Sequence, residues 1–230
     1  MTDYDAVVFD MDGVLVHRSD ADVFRRAARE AFAAFGVEPA DEHVEAFAWT
    51  RVDEFADACA PYDLDPEAVI AEREARSAAI QRAVLAAGGK ALYDDVDALE
   101  SLGDGARLGL VSNNQHATVE AVVDAHGLGE LFATAYGRDP TVAGVARRKP
   151  DPHYLERALA DLGTRNALYV GDSRVDVAAA AAAGVDSAFV WRDHREGYDL
   201  EGRSRPTRWR RSRRCRARAR DRGEHGRRGI

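Results

Sequence analysis

The stretch Val7-Val8-Phe9-Asp10-Met11-Asp12-Gly13-Val14-Leu15 decides the fold, because an apolar run ends abruptly in two acids one residue apart. Residues 4–9 have the composition of a buried strand, which places Asp10 at the carboxyl end of that strand. In open α/β sheets, ligands bind at this end of the strands. The stretch therefore predicts a binding site where the first strand ends.

The two acids of this stretch suggest what the site would bind. Side chains alternate along an extended chain, so Asp10 and Asp12 point to the same side. Two carboxylates 4 Å apart repel by roughly 4 kcal/mol in a medium of intermediate polarity, and a cation between them removes that cost. Gly13 lets the backbone turn sharply or approach a ligand closely. By itself the pattern fits a strand followed by an Asp-rich turn equally well, so other motifs must decide.

Composition limits the class of protein. The chain has 230 residues, 46% of them hydrophobic, which suits one good-sized domain or a core domain with an insert. Its two cysteines, Cys59 and Cys215, make no disulfide framework, which favours a reducing compartment. The first residues lack the basic region of a signal peptide, and no apolar run approaches the roughly 20 residues of a membrane span. We therefore expect a cytoplasmic protein with no membrane partner.

Charge is unevenly distributed along the chain. The net charge is −8, yet residues 203–230 contain thirteen arginines and only two acids. A basic arm of this kind is one pattern of nucleic-acid binding. These residues have no apolar periodicity, however, and a reading-frame error in a GC-rich gene would give the same composition. We therefore predict a disordered or aberrant tail over 203–230, and we disfavour nucleic acid as a partner.

The order of predicted elements gives the fold class. Residues 18–89 predict helices throughout, at about 20–35, 41–49, 51–59 and 66–87. From Leu92 onward helices alternate with strands, expected at 107–111, 131–136, 167–170 and 186–191, with a loop from Gly137 to Lys149. Such alternation predicts an α/β fold, a doubly wound parallel sheet, interrupted here by an inserted helical domain. We divide the chain into a core of 1–17 and 90–202, a helical insert of 18–89 and the tail of 203–230.

Polar residues stand where the predicted strands end. Asp10 follows the first strand, Ser112 the second and Asp172 the fourth, while Lys149 lies in the loop after the third. Because the carboxyl ends of parallel strands share one edge, these four side chains can converge. Three of them have a structural alternative: a helix cap for Ser112, a helix N-terminus for Asp172 and a solvated loop charge for Lys149. Lys149 is one of only two lysines in the chain, which favours a function for it.

Four motifs, in the order FDMDGVL, VSNN, KPDP and GDSRVD, resemble those of the haloacid dehalogenase superfamily of phosphohydrolases. The resemblance covers about residues 4–191. The helical insert, placed directly after the first motif, resembles the α-helical cap of the phosphoglycolate-phosphatase-like branch. The resemblance implies a Rossmann-like core and a Mg²⁺-dependent phosphatase that acts on a small-molecule phosphate ester.

The resemblance also implies roles for residues. Asp10 would attack phosphorus and form an aspartyl-phosphate. Asp12 would protonate the leaving oxygen and later deprotonate the attacking water. Lys149 would offset charge on the phosphoryl group and Asp10. Ser112 and the main chain of Asn113 would hold phosphoryl oxygens.

A metal site is implied as well. Asp10, the main-chain carbonyl of Asp12 and Asp172 would ligate Mg²⁺, a hard cation that prefers oxygen. Asp176, four residues beyond Asp172, would support the metal site or Lys149 from behind the ligands. Asp172 and Asp176 also fit the first turn of a helix, where aspartate is favoured.

Other functions remain to be separated from a phosphatase. A sugar-phosphate mutase of the same superfamily can carry FDMDGVL, and it would act on hexose phosphates with a dependence on a bisphosphate. Dehalogenation is disfavoured, because Asp12 supplies an acid–base group that displacing halide does not need. Nucleic-acid binding through the tail would appear as salt-dependent DNA binding that is lost when 203–230 are deleted.

Overall fold

The computed structural model describes residues 4–198 and the pair 207–208. These residues contain a six-stranded, wholly parallel sheet in the order β3-β2-β1-β4-β5-β6. The strands, in chain order, are β1 (Ala6–Phe9), β2 (Arg107–Gln115), β3 (Phe132–Arg138), β4 (Ala167–Gly171), β5 (Asp186–Phe189) and β6 (Thr207–Arg208). The predicted parallel α/β sheet is thus confirmed.

The α-helices in the described residues lie between these strands or in the insert. In chain order they are α1 (Ala21–Ala34), α2 (Asp41–Ala48), α3 (Phe55–Cys59), α4 (Pro66–Ala86), α5 (Ala98–Gly103), α6 (His116–Ala125), α7 (Val142–Ala146), α8 (His153–Leu162) and α9 (Arg174–Ala183). No helix within residues 4–198 is both long and apolar enough to cross a membrane.

Strand β1 is apolar throughout because both of its faces are covered. Val7 and Phe9 join a core cluster on one face that includes residues of α5 and α6. Ala6 and Val8 join the opposite cluster, which contains residues of α8 and α9. Helices on both faces make the sheet doubly wound, and each face buries alternate residues of the same strand.

The register of the central strands brings their ends together. Phe9 lies opposite Leu110 of β2 and opposite Val170 of β4. The next residue, Asp10, is therefore level with Gly171, the last residue of β4, and with Val111, after which the polar end of β2 begins. Its main-chain N–H still donates to the carbonyl of Val170, at 2.8 Å, which holds Asp10 at the sheet edge.

The described part of the predicted insert is helical, as expected, and has its own apolar cluster. Phe32, Phe47 and Ile70 are fully buried there, and Val145 of α7 completes the cluster from the core side. Helix α4 is 21 residues long and also packs against α6, so it joins the insert to the core. The boundaries 18–89 remain a prediction.

Apart from shifts of one or two residues at the ends of β3 and β5, the structure differs from the expected elements in three places. Residues 142–146, expected within a loop, form α7, whose Thr141 side chain accepts a hydrogen bond from the Gly144 N–H. The predicted helix 51–59 is split into a 3₁₀ turn, Val52–Glu54, and α3. Strand β2 continues past Val111 to Gln115, pairing there with Arg138 of β3. The polar run after Val111 is therefore extended backbone, and Gln115, not Ser112, is the N-cap of the following helix.

The predicted tail, 203–230, lies outside the described residues apart from Thr207–Arg208. This pair forms β6, which adds to the edge of the sheet beside Ala188 and Phe189 of β5. The nucleic-acid hypothesis rests on residues that the structure does not describe.

Candidate active site

Residues at the carboxyl edge of the sheet and residues of the helical insert line an open cavity of about 300 Å³. Phe24, Trp49 and Thr50 form part of its wall on the insert side. The side chains predicted from sequence also line it, and they are Asp10, Asp12, Ser112, Asn113, Lys149, Asp172 and Asp176. The structure thus brings all the predicted site residues to one cavity.

Lys149 lies at the floor of this cavity, with its side chain 2% exposed. Its ammonium is 2.9 Å from Asp10 Oδ1 and donates to Asp176 Oδ1 at 2.7 Å and to the Tyr169 hydroxyl at 2.7 Å. Burial by itself would lower the pKa of Lys149, but the Asp10 and Asp176 carboxylates raise that pKa well above its ordinary value. Lys149 is therefore a fixed positive charge beside Asp10.

Asp10 is buried among other acids. Burial raises the pKa of Asp10 to about 7, and the Asp176 and Asp172 carboxylates contribute to the rise while Lys149 opposes it. Carboxylate oxygens of these three aspartates lie within 4.8 Å of one another. The raised pKa means that burial disfavours the charged form of Asp10 more than Lys149 favours it, and a bound cation would shift that balance toward the carboxylate.

Asp176 combines a helix-capping role with a contact to Lys149. Its Oδ2 accepts from the main-chain N–H of Ser173, at 2.9 Å, in a capping box at the start of α9. Its Oδ1 accepts from Lys149. Gly171 is required beside it, since a Cβ at that position would stand 2.3 Å from Asp176 Cβ. Both oxygens of Asp176 are thus engaged, which leaves Asp10 and Asp172 as the better ligands for a metal.

Ser112 and Asn113 lie on the extended end of β2. Ser112 is 2% exposed, and its hydroxyl accepts from the Asn114 N–H at 3.1 Å. The Asn113 side-chain amide forms two hydrogen bonds with the main chain of Lys149: it donates to the carbonyl at 3.0 Å and accepts from the N–H at 2.8 Å. Asn113 therefore fixes the loop that delivers Lys149, a contact that its sequence position did not suggest.

Asp172 is buried at the end of β4 and is contacted from the segment after β5. His194 Nε2 lies 2.6 Å from Asp172 Oδ2, and Arg195 Nε donates to the same oxygen at 3.1 Å. Gly13, whose φ is +82°, lies directly beside Asp172. A Cβ at this position would stand 2.4 Å from Asp172 Oδ2. Neither His194 nor Arg195 was predicted, because no motif marks them.

Asp12 is held by two residues that the sequence analysis missed. Lys90 forms an ion pair with Asp12 Oδ1, and Asn114 Nδ2 donates to Oδ2 at 2.8 Å. A signal for Lys90 did exist, because it is the only lysine besides Lys149. The two lysines of the chain thus pair with the two aspartates of the first motif.

The cavity wall also contains Arg73 and Arg138, two buried arginines that pair with Glu74. Arg73 Nη1 donates to Glu74 Oε1 at 2.5 Å, and Arg138 contacts both Glu74 oxygens. Burial would raise the pKa of Glu74, but the charges of Arg138 and Arg73 hold that pKa below its ordinary value. The arrangement ties α4 of the insert to the end of β3, where Arg138 Nη1 donates to the Asn113 carbonyl at 2.5 Å.

These residues present a donor set suited to a hard divalent cation. Asp10 and Asp172 supply buried carboxylates within 4.8 Å, and oxygen is the atom that Mg²⁺ prefers. Burial, with a further contribution from the Asp176 and Asp172 carboxylates, raises the pKa of Asp10, so a cation beside it would favour its charged form. The residues present therefore fit a metal ion, and nothing but oxygen would face it from these two side chains.

Comparison with known proteins agrees with the geometry of the site. The profile of the haloacid dehalogenase-like hydrolases matches residues 4–184, which include every predicted site residue. A phosphoglycolate phosphatase of Cereibacter sphaeroides is 32% identical over 202 residues, covering 82% of this chain and 86% of that protein. A phosphoglycolate phosphatase of Rhodospirillum rubrum is 32% identical over 209 residues, covering 78% and 76%.

Solved structures share the fold. CbbY from Rhodobacter sphaeroides in complex with phosphate superposes with a TM-score of 0.61 at 23% identity, covering 89% of this chain and 92% of that one. A second CbbY structure, in complex with xylulose-(1,5)bisphosphate, gives a TM-score of 0.62 at 23% identity and covers 89% and 93%. At this identity the two structures support the fold alone.

Proposed function

Because the chain belongs to the haloacid dehalogenase-like hydrolases and is a phosphatase of that kind, we propose that it hydrolyses a small phosphate ester through an aspartyl-phosphate on Asp10, with Mg²⁺ as cofactor. The observation that carries the proposal is the pairing of Asp10 with Lys149 at the floor of the cavity, 2.9 Å apart. A buried carboxylate beside a fixed positive charge can face an anionic phosphoryl group without prohibitive repulsion.

In the first step, an Asp10 oxygen attacks phosphorus, and the bond from phosphorus to the ester oxygen breaks. Asp12 gives a proton to the departing oxygen, which leaves as an alcohol. Lys149 offsets the charge that the phosphoryl group and Asp10 share. The Ser112 hydroxyl and the Asn113 main-chain N–H donate to phosphoryl oxygens and orient them for in-line attack.

In the second step, water attacks the phosphorus of the aspartyl-phosphate while Asp12 takes a proton from that water. The bond between phosphorus and Asp10 breaks, which releases phosphate and restores the Asp10 carboxylate. Asp12 thereby returns to its protonated form, ready for the next ester.

Mg²⁺ would be held by the Asp10 and Asp172 carboxylates and the Asp12 main-chain carbonyl. Once bound, it supplies positive charge that stabilises the phosphoryl oxygens in the transition state. Asp176 would act behind these ligands, since it fixes both Lys149 and the start of α9.

The substrate we propose to test first is 2-phosphoglycolate. Two relatives that align over more than three quarters of this chain are phosphoglycolate phosphatases. A cavity of about 300 Å³ is at the small end for ligand sites, which suits a short ester. Phe24, Trp49 and Thr50 of the insert line the same cavity as Asp10, so we propose that they contact the part of the ester that leaves.

The test is phosphate release by the purified full chain from a panel of esters, with and without Mg²⁺. We expect turnover of 2-phosphoglycolate that EDTA abolishes and added Mg²⁺ restores. Asp10→Asn should lower turnover by more than about 10³-fold, since a covalent step has no substitute. Interconversion of hexose phosphates with dependence on a bisphosphate would instead identify a mutase. Full turnover by Asp10→Asn would rule out the proposed chemistry.

A further inference from the structure

Lys90 occupies an unusual position for a lysine. Its side chain is 1% exposed, and the partners of its ammonium are Asp12 and the Ser19 hydroxyl, the latter at 3.0 Å. Its backbone has φ +53°, a left-handed conformation that residues other than glycine rarely adopt. Such backbone strain persists only where the surroundings fix it, and it is concentrated at functional sites.

The other side of Asp12 is held equally firmly. Asn114 donates to Asp12 Oδ2, and its own amide is locked by a reciprocal pair of 2.9 Å hydrogen bonds with Gln81 of α4. Gln81 is 1% exposed and also accepts from the Ser19 hydroxyl at 3.0 Å. Since both oxygens of Asp12 have donors from fixed side chains, rotation of its carboxylate would break a hydrogen bond on either side.

This network lies at the two crossings between core and insert. Ser19 belongs to the segment that leaves the core after β1, and Lys90 to the segment that returns after α4. The two segments pair with each other, since the His17 N–H donates to the Ala91 carbonyl at 3.0 Å. The Lys90 carbonyl is anchored to the core by His126 Nε2 at 3.0 Å. Lys90 therefore links both crossings to Asp12.

We propose that Lys90 is the positioning residue of Asp12, holding its carboxylate at the angle that proton transfer needs and tying that angle to the crossings between core and insert. The inference rests on the proposed function, in which Asp12 moves the proton. Lys90 would touch neither the ester nor the water. Its effect would pass through Asp12, because Lys149, and not Lys90, contacts Asp10.

The test is a double-mutant cycle with Lys90→Met and Asp12→Ala, measured as turnover of 2-phosphoglycolate and of p-nitrophenyl phosphate. In the parent chain, Lys90→Met should lower kcat by about 10- to 10²-fold, the cost of a misplaced group, with KM within about twofold. In the Asp12→Ala chain, Lys90→Met should change kcat by less than about twofold, because the group through which it acts is gone. Lys90→Arg retains the charge and should recover part of the loss.

Circular dichroism identifies a variant that fails to fold, and Lys90→Gln then replaces Lys90→Met in the cycle. Parent-level kcat in the Lys90 variant would overturn the inference. An equal loss with and without Asp12 would also overturn it, since Lys90 would then act on the structure generally. Parent-level turnover by Asp12→Ala would instead remove the proposed function, and this inference with it.

Discussion

Glu74 of α4 and Arg138, the last residue of β3, form a two-point ion pair in the interior. Arg138 Nε donates to Glu74 Oε2 at 2.9 Å, and Arg138 Nη2 donates to Oε1 at 3.0 Å. The Glu74 side chain is 1% exposed, and the Arg138 side chain is 6% exposed. Arg73 shares the same carboxylate, so one negative charge compensates two buried positive charges. The pair connects the insert to the loop that holds Lys149, through the contact of Arg138 with Asn113.

Replacing Glu74 with leucine should therefore destabilise the protein strongly. Removal of the shared carboxylate leaves two buried guanidinium groups without a counter-charge, and breaking such pairs costs about 3–5 kcal/mol. Urea unfolding followed by circular dichroism measures the loss. Glu72→Gln on the same helix is the matched control, because Glu72 pairs with Arg76 in a partly exposed i,i+4 contact. That control should stay within about 0.5 kcal/mol of the parent, and equal losses in both variants would contradict the prediction.

Binding of Mg²⁺ should weaken as pH falls, and the pKa of Asp10 determines the pH at which the weakening begins. Its pKa is raised to about 7 by burial, so below pH 7 a proton occupies the carboxylate that the metal needs. Each pH unit below 7 should raise the apparent Kd for Mg²⁺ by up to about tenfold, whereas above about pH 8 the Kd should be constant. Isothermal titration calorimetry from pH 5.5 to 8.5 measures the Kd in both the pH-dependent and the constant range.

The control for this pH dependence is Asp10→Asn, which binds Mg²⁺ without displacing a proton from position 10. Its affinity should be lower overall, and the steep decline that begins near pH 7 should be absent. Calorimetry in buffers of different ionisation enthalpy also reports the proton that the parent releases. Equal Kd values at pH 6 and pH 8 in the parent would show that Asp10 is not a ligand.

The site residues that could be predicted from the sequence are those that directly follow a predicted strand. Asp10, Ser112 and Asp172 each follow an apolar run, so the parallel sheet alone brings them to one edge. Lys149 could be predicted because it stands out among arginines. Lys90 stands out equally, but it precedes the first strand of the alternating pattern by many residues. Only the pairing of the two crossings between core and insert brings it to Asp12.

Contacts that depend on tertiary packing could not be predicted from the sequence. Gln81 lies on the long helix α4 with no motif around it, yet its side chain reaches Asn114. Glu74 and Arg73 would be expected on an exposed helical face, since charged residues rarely pack inside unless paired. Their partner, Arg138, is more than sixty residues away in the chain. Local sequence patterns carry no information about pairs so distant in the chain, so the ion pairs of Glu74 could be identified only in the structure.

Deletion of residues 203–230 should leave catalysis intact. Every residue proposed to act on the ester lies before position 177, and the described contact of the tail is the edge pairing of Thr207–Arg208 with β5. We expect truncation after Gly202 to keep kcat/KM within about twofold, with a small decrease in Tm from loss of that edge pairing. A loss of activity in a chain that remains folded would place a catalytic or substrate-binding group in the tail.

Asp12 distinguishes a phosphatase from a dehalogenase, and its two tasks should be separable by leaving group. An alkoxide needs the proton, so Asp12→Ala should slow formation of the phosphoenzyme by about 10²–10⁴-fold with an alkyl ester. A p-nitrophenolate hardly needs it, so attack by Asp10 should survive better with that ester. Hydrolysis of the intermediate would still lack its base. The variant should therefore release a burst of nitrophenol and retain phosphate on Asp10.

Rapid-mix kinetics and intact-protein mass spectrometry measure this burst and the trapped phosphate. The control is Asp10→Asn, which should show neither, because the residue that accepts phosphate is gone. Asp12 is tied to Lys90 and Asn114 at both oxygens, so alanine there also releases those side chains, and Asp12→Asn tests the proton transfer with less disturbance. If either Asp12 variant turned over both esters at the parent's rate, with no phosphate on Asp10, Asp12 would be only a turn residue and the proposed mechanism would be wrong.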